Sequence, residues 1–327
     1  MSNISKPIGM LRLYPEPKLK GRRVIPITVH LPDALFLKEI QCIWNVTPML
    51  LTLVKILTFW IFPSVLRHQT KRRLRHLLGM GPAPETLWEK HIFEKRRQQF
   101  LAAQHEKNIY GYKIVSLGCD CFSRTIPTLW GIKPRKKQGE KGCPFDLSDN
   151  PLPAVVKYLE NDFKGYFNSL AYNKQLKSWW LADDEIVYCH EDDCTETSRS
   201  IVTERFAGRI NNLRQILYQD TKPALFISHF NPMLAPADIN ETEQLYNRMY
   251  KTLQTARGKR GFRLMIVDTS GKLSAATNLL PEIKLLSCPW LPQPYVWHQP
   301  ECRYKKTGLK FEQLFIGEVI KILAEMQ

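Results

Sequence analysis

Apolar and β-branched residues cluster into four short runs in the C-terminal two thirds of the chain, at 113–117, 224–228, 264–268 and 283–287. Runs of this length without polar alternation read as strands buried on both faces. Between them the apolar positions recur at helical spacing over 152–160, 204–217, 241–257 and 273–280, and a last amphipathic helix is predicted over 311–326. A further helix, 122–130, follows the first strand directly. Strands that alternate with helices predict an α/β fold, a mostly parallel sheet flanked by helices. In such sheets sites gather beyond the carboxyl ends of the strands. Cys121, His229, Asp268 and Cys288 fall there.

The N-terminal third has a different pattern. Its first forty residues are rich in proline and basic residues, with one strand-like run at 24–30, and predict an extended arm. Residues 48–63 are almost wholly apolar, broken by Lys55 and bounded by prolines, and the basic stretch 67–76 follows. An apolar segment of this length is short of the ~20 residues that cross a bilayer. An apolar helix beside a basic cluster suits the interface of an anionic membrane. A buried helix followed by a solvated basic one is the plainer alternative. Residues 85–108 predict a charged connector helix. The resulting division is a basic, partly helical extension over 1–110 and an α/β domain over 111–327.

Charge sharpens that division. Of a formal net charge of +16, the first 110 residues supply 18 Lys and Arg against 7 acidic residues, which leaves 29 against 24 for the remainder. The basic excess points toward an anionic inner-membrane surface and peripheral attachment. Nucleic acid is not expected, because aromatics are not interleaved with the basic residues as stacking platforms. The eight cysteines, with no signal peptide recognised at the start, predict reduced thiols and a cytoplasmic setting.

The densest chemistry lies in Ser116-Leu117-Gly118-Cys119-Asp120-Cys121. A cysteine opening a helix sits at the positive end of the helix dipole, which favours the nucleophilic thiolate. The same cysteines can equally be buried apolar thiols. A nucleophile needs a base, and His190 and His229 are the candidates outside the basic arm. His190 is followed by Glu191, Asp192 and Asp193, carboxylates that can hold an imidazolium. Asp146, in a Gly/Pro-containing loop, is either an orienting group or a cap for the next helix. Cys119-x-Cys121 and Cys189-His190-x3-Cys194 lack the usual spacing of a zinc site, so no metal is expected. No phosphate-binding loop, G-x-G-x-x-G, G-x-S-x-G or H-E-x-x-H motif occurs.

In order along the chain, Ser116-Leu-Gly-x-x-Cys121, Pro144-Phe145-Asp146, Asn161-Asp162-Phe163 with Tyr166-Phe167, Tyr188 and His190, Arg205 and Arg209, and the strand at 224–228 resemble a bacterial family of unknown function labelled papain-like cysteine peptidases. The resemblance covers roughly residues 112–230. It implies Cys121 as nucleophile, His190 as base, and Asp146 or Asp192 as the orienting carboxylate. Where the family carries His-Asp-Phe, this chain reads His190-Glu191-Asp192. A cysteine at a strand-to-helix turn is also similar to cysteine-triad acyltransferase-like proteins encoded with capsular polysaccharide genes. That implies acyl-CoA as a co-substrate, with Arg205, Arg209 and His229 among substrate-binding groups and no cofactor otherwise. The substrate would be a peptide, an acyl group or a glycan. A third expectation is a non-catalytic accessory protein of surface-polysaccharide biosynthesis, its cysteines mere core residues.

Overall fold

The computed structural model describes residues 87–103, 111–191 and 194–326, together with Thr70 and Leu74. The arm, the apolar segment 48–63 and the basic stretch 67–76 (Thr70 and Leu74 apart) therefore lie outside the described residues, as does Asp192.

The four apolar runs pair as a parallel sheet. Its strands are β1 (Lys113–Ser116), β5 (Ala224–Phe230), β6 (Phe262–Asp268) and β7 (Ile283–Ser287), in the spatial order β1-β5-β6-β7. Val115 lies opposite Phe226, and Phe226 opposite Leu264, so the register runs straight across the sheet. A second, antiparallel sheet joins β2 (Leu170–Asn173), β3 (Ser178–Leu181) and β4 (Ile186–Val187). Among the described residues the helices are α1 (Leu87–Ala102), α2 (Phe122–Trp130), α3 (Leu152–Glu160), α4 (Arg199–Tyr218), α5 (Ile239–Arg257) and α6 (Lys306–Glu325), besides the single turn Pro300–Arg303.

The two-residue period of the strands sorts the core into two layers. Val115, Phe226, Leu264 and Ile266 face the layer of α3, α4, α5 and the small sheet. Ile114, Leu225, Ile227, Met265 and Val267 face α1, α2 and α6. Every residue of β5 is buried, which accounts for the apolar run over 224–227 and encloses Ser228 and His229 as well. On α4 the buried positions Val202, Phe206, Ile210, Leu213 and Leu217 recur at spacings of three and four, one stripe of an amphipathic helix. The α/β architecture and the parallel sheet follow the strand–helix alternation of the sequence.

Two elements depart from the expectations. The stretch 273–280 is no α-helix; only a 3-10 turn, Lys272–Ala275, forms. Its backbone donors are claimed from outside. The Asp268 carboxylate accepts from the N–H groups of Ser270 (2.8 Å), Gly271 (3.0 Å) and Leu273 (2.8 Å). Side chains of α5 take the N–H groups of Asn278 (Glu243, 2.9 Å) and Leu280 (Asn247, 2.9 Å). The small sheet was not foreseen, because strands of four, four and two residues give too short a period to stand out.

Candidate functional site

The pairing between β1 and β5 continues past the end of β1. Leu117 N–H donates to the Ile227 carbonyl (2.8 Å), His229 N–H to the Gly118 carbonyl (2.7 Å), and Cys119 N–H to the His229 carbonyl (3.0 Å). The chain can then turn into α2 because Gly118 adopts φ +83°, where an L side chain would be strained. A Cβ at that position would stand 3.3 Å from Asn150 Nδ2. Cys121 caps α2, its carbonyl accepting the Thr125 N–H at 2.9 Å.

His190 reaches this turn through a ladder of single bridges. Asn150 N–H donates to the Cys119 carbonyl (2.7 Å), while Asp149 and Val187 exchange two backbone bonds of 2.9 Å. The ladder stitches the end of β1 to β4, and three residues beyond Val187 the chain delivers His190. Its Nε2 lies 3.3 Å from Cys121 Sγ, hydrogen-bond range for sulfur. Cys121 is half-buried and His190 exposed, so the pair opens to solvent.

The segment behind His190 is pinned. Tyr188 stacks on Phe206 of α4 with ring centroids 3.8 Å apart. Glu191, almost fully buried, forms ion pairs with Arg205 and with Arg209 (2.7 Å), both on α4. Arg209 also lies over the Phe206 ring at 4.3 Å. The two arginines expected to bind substrate thus hold the residue that follows the base.

Among the described residues, Asp149 is a carboxylate that feels the charge of His190. Burial raises its carboxyl above the usual range, while a hydrogen bond from Cys189 and the charges of His190 and His298 pull it down. Asp146 is placed otherwise. It is buried, its Oδ2 accepts the Cys143 N–H (2.8 Å) and faces Arg124 Nε (3.2 Å), and it organises the loop leading from α2. Burial raises Asp146 against the opposing charges of Lys133 and Arg124.

His229 and Asp120 form a second, buried group beside the cysteine. His229 Nδ1 lies 2.9 and 3.0 Å from the two Asp120 oxygens, and its Nε2 lies 3.2 Å from Thr269 Oγ1. Asp120 also accepts the Phe122 N–H (2.9 Å) and faces Trp297 Nε1 (3.4 Å). Burial raises Asp120, but these donors and the His229 charge outweigh it and hold its carboxyl below the usual range. The Phe122 N–H, at the start of α2, is therefore taken by Asp120.

Charge around Cys121 opposes a ready-made thiolate. Burial, then Asp120 and Asp149, push the thiol up to about 12. A helix N-terminus contributes about 0.3–1 kcal/mol, less than one pH unit of ionisation. A thiol raised in this way needs a base to take its proton. His190 is placed to do so.

The other strand-end positions do different work. Asp268 is saturated by loop donors and by the Ser270 and Ser287 hydroxyls (2.6 and 2.9 Å). Cys288 is buried in the core layer facing α6. Among the described residues all seven cysteines are free, and no group of three or more His, Cys, Asp or Glu side chains could hold a metal ion. No described helix is long and apolar enough to cross a membrane. Asp149, Asp120 and Thr269 were not singled out from the sequence, and Glu191, expected to hold the His190 imidazolium, pairs with Arg205 and Arg209. Only Glu191 and Asp120 carried a signal, as neighbours of the candidate base and nucleophile. No family model, curated protein or solved structure matches the chain.

Proposed function

We propose that this protein is a cysteine-dependent acyl-handling enzyme, in which Cys121 attacks a carbonyl and His190 serves as general base and then general acid. The observation that carries the reading is the 3.3 Å approach of His190 Nε2 to Cys121 Sγ in a solvent-open position at the carboxyl end of the sheet. Two uninvolved thiol and imidazole groups have no reason to be brought together by a ladder of bridges and a pinned loop. The ordered motifs that resemble papain-like cysteine peptidases support the same assignment.

In the first half-reaction His190 Nε2 removes the Sγ proton as sulfur bonds to the carbonyl carbon. The same proton passes to the leaving group as the tetrahedral intermediate collapses, which leaves a thioester on Cys121. Asp149 stabilises the imidazolium that forms in between. An acceptor then takes the acyl group from sulfur. Water makes the enzyme a hydrolase, and another nucleophile makes it a transferase.

The test is intact-mass analysis after brief exposure to p-nitrophenyl acetate. One acetyl adduct is expected, mapped to the peptide carrying Cys121, absent from Cys121→Ala and formed ~10²-fold or more slowly in His190→Ala. An adduct that persists in Cys121→Ala, or an unaffected rate in His190→Ala, overturns the assignment.

A further inference from the structure

The Asp120–His229–Thr269 line is complete in itself and has no part in the chemistry described so far. Each member comes from the end of a different strand. Asp120 follows β1, His229 lies within β5, and Thr269 follows β6. The Asp120 contact to Nδ1 fixes which imidazole nitrogen carries the proton, and so turns the Nε2 lone pair to the Thr269 hydroxyl at 3.2 Å. The Phe122 ring, centroid 4.6 Å away, holds the imidazole from its face. A carboxylate, an imidazole and a hydroxyl in that order are the parts needed to draw a proton from an O–H group.

A purely structural role explains these groups poorly. Neutral side chains could tie three strand ends together without placing a buried carboxylate there. Asp120 moreover sits next to Cys121, where its charge works against the ionisation of the sulfur. A centre that keeps such a charge at its nucleophile gains something from it elsewhere.

Resting on the acyl-enzyme reading above, we propose that His229, held by Asp120 and linked to Thr269, is the base for the second half-reaction and activates a hydroxyl acceptor. His190 serves the sulfur and His229 serves the acceptor. The acceptor O–H gives its proton to Thr269 Oγ1 as the Thr269 proton passes to His229 Nε2. The acceptor oxygen bonds to the thioester carbon and the C–S bond breaks. Sulfur leaves as thiolate. Asp120 balances the imidazolium on His229. A solvent proton reaching the exposed His190 restores the thiol, and His229 returns its proton through Thr269 Oγ1 to the water that replaces the product. Both groups end as they began.

Single-turnover kinetics with p-nitrophenyl acetate separate the two halves, with p-nitrophenol release reporting acylation and loss of the acetyl mass reporting breakdown. His229→Gln and Thr269→Val are expected to acylate within about threefold of the parent and to release acetate ~10²-fold more slowly, so that acetyl-Cys121 accumulates. Thr269→Val keeps the shape of the side chain and decides the matter alone if His229→Gln fails to fold. Breakdown at the parent rate, or equal slowing of both phases, overturns the proposal. Absence of any Cys121 adduct in the parent protein removes instead the reading on which it rests. Added glycerol distinguishes the acceptors: acetylglycerol marks an alcohol acceptor, and acetate alone marks water.

Discussion

At the scale of single residues, the site is a contest between burial and charge around one sulfur. Burial, Asp120 and Asp149 all push the Cys121 thiol up, so in the proposed mechanism its reactivity rests on His190 rather than on the helix dipole. Asp149 acts in both directions, since it opposes the thiolate and favours the imidazolium. If the second effect governs, Asp149→Asn lowers the Cys121 acylation rate at neutral pH by ~10-fold or more while direct ionisation of the thiol moves below about 12. Stopped-flow acylation and a thiolate absorbance titration of the same variant read the two effects separately. An unchanged or faster acylation rate assigns Asp149 only the opposing role. That Cys121 and His190 come together was legible, because one stands at a strand-to-helix turn and the other ahead of acidic residues. Asp149 did not stand out in the sequence. Asp146 and Asp149 stand three residues apart in one loop, and only the bridge between Asp149 and Val187 decides which of them comes near the histidine.

At the scale of elements, α2 links the core to the chemistry. Its first residue, Phe122, is fully buried, with ring centroids 4.6 Å from His229, 5.7 Å from Phe311 and 4.9 Å from Phe315. Phe122→Ala opens a cavity between the Cys121 turn and α6. The expected cost is about 3–5 kcal/mol of stability, read from the urea midpoint. A loss below 1 kcal/mol would mean that α2 is not seated on α6 as described. Long periodic elements such as α4 and α5 were legible from their apolar stripes. The 3-10 turn at Lys272–Ala275 was not, because the groups that divert its backbone donors lie on β6 and α5, some thirty residues away for α5. A helical period records which residues can form a helix, and carries no notice of a distant carboxylate that competes for the N–H groups.

At the scale of the whole molecule, the sheet does one task for both candidate bases. Parallel strands place every carboxyl end on the same edge, and there His229 meets Thr269 and Asp120, the neighbour of Cys121, while the small sheet carries His190 to the sulfur. The parallel sheet was legible as a whole, since strand runs separated by helices admit few other arrangements. The small sheet had no such redundancy. The apolar and basic N-terminal segments lie outside the described residues, and their reading as a membrane-interface element rests on sequence alone. The central claim, that His190 makes the Cys121 thiol reactive, is tested most directly by the pH profile of Cys121 acetylation in the parent protein and in His190→Ala. The parent is predicted to react at neutral pH, whereas the variant reacts only as the pH climbs toward about 12, where the thiol ionises unaided. Two superimposable profiles would contradict the account.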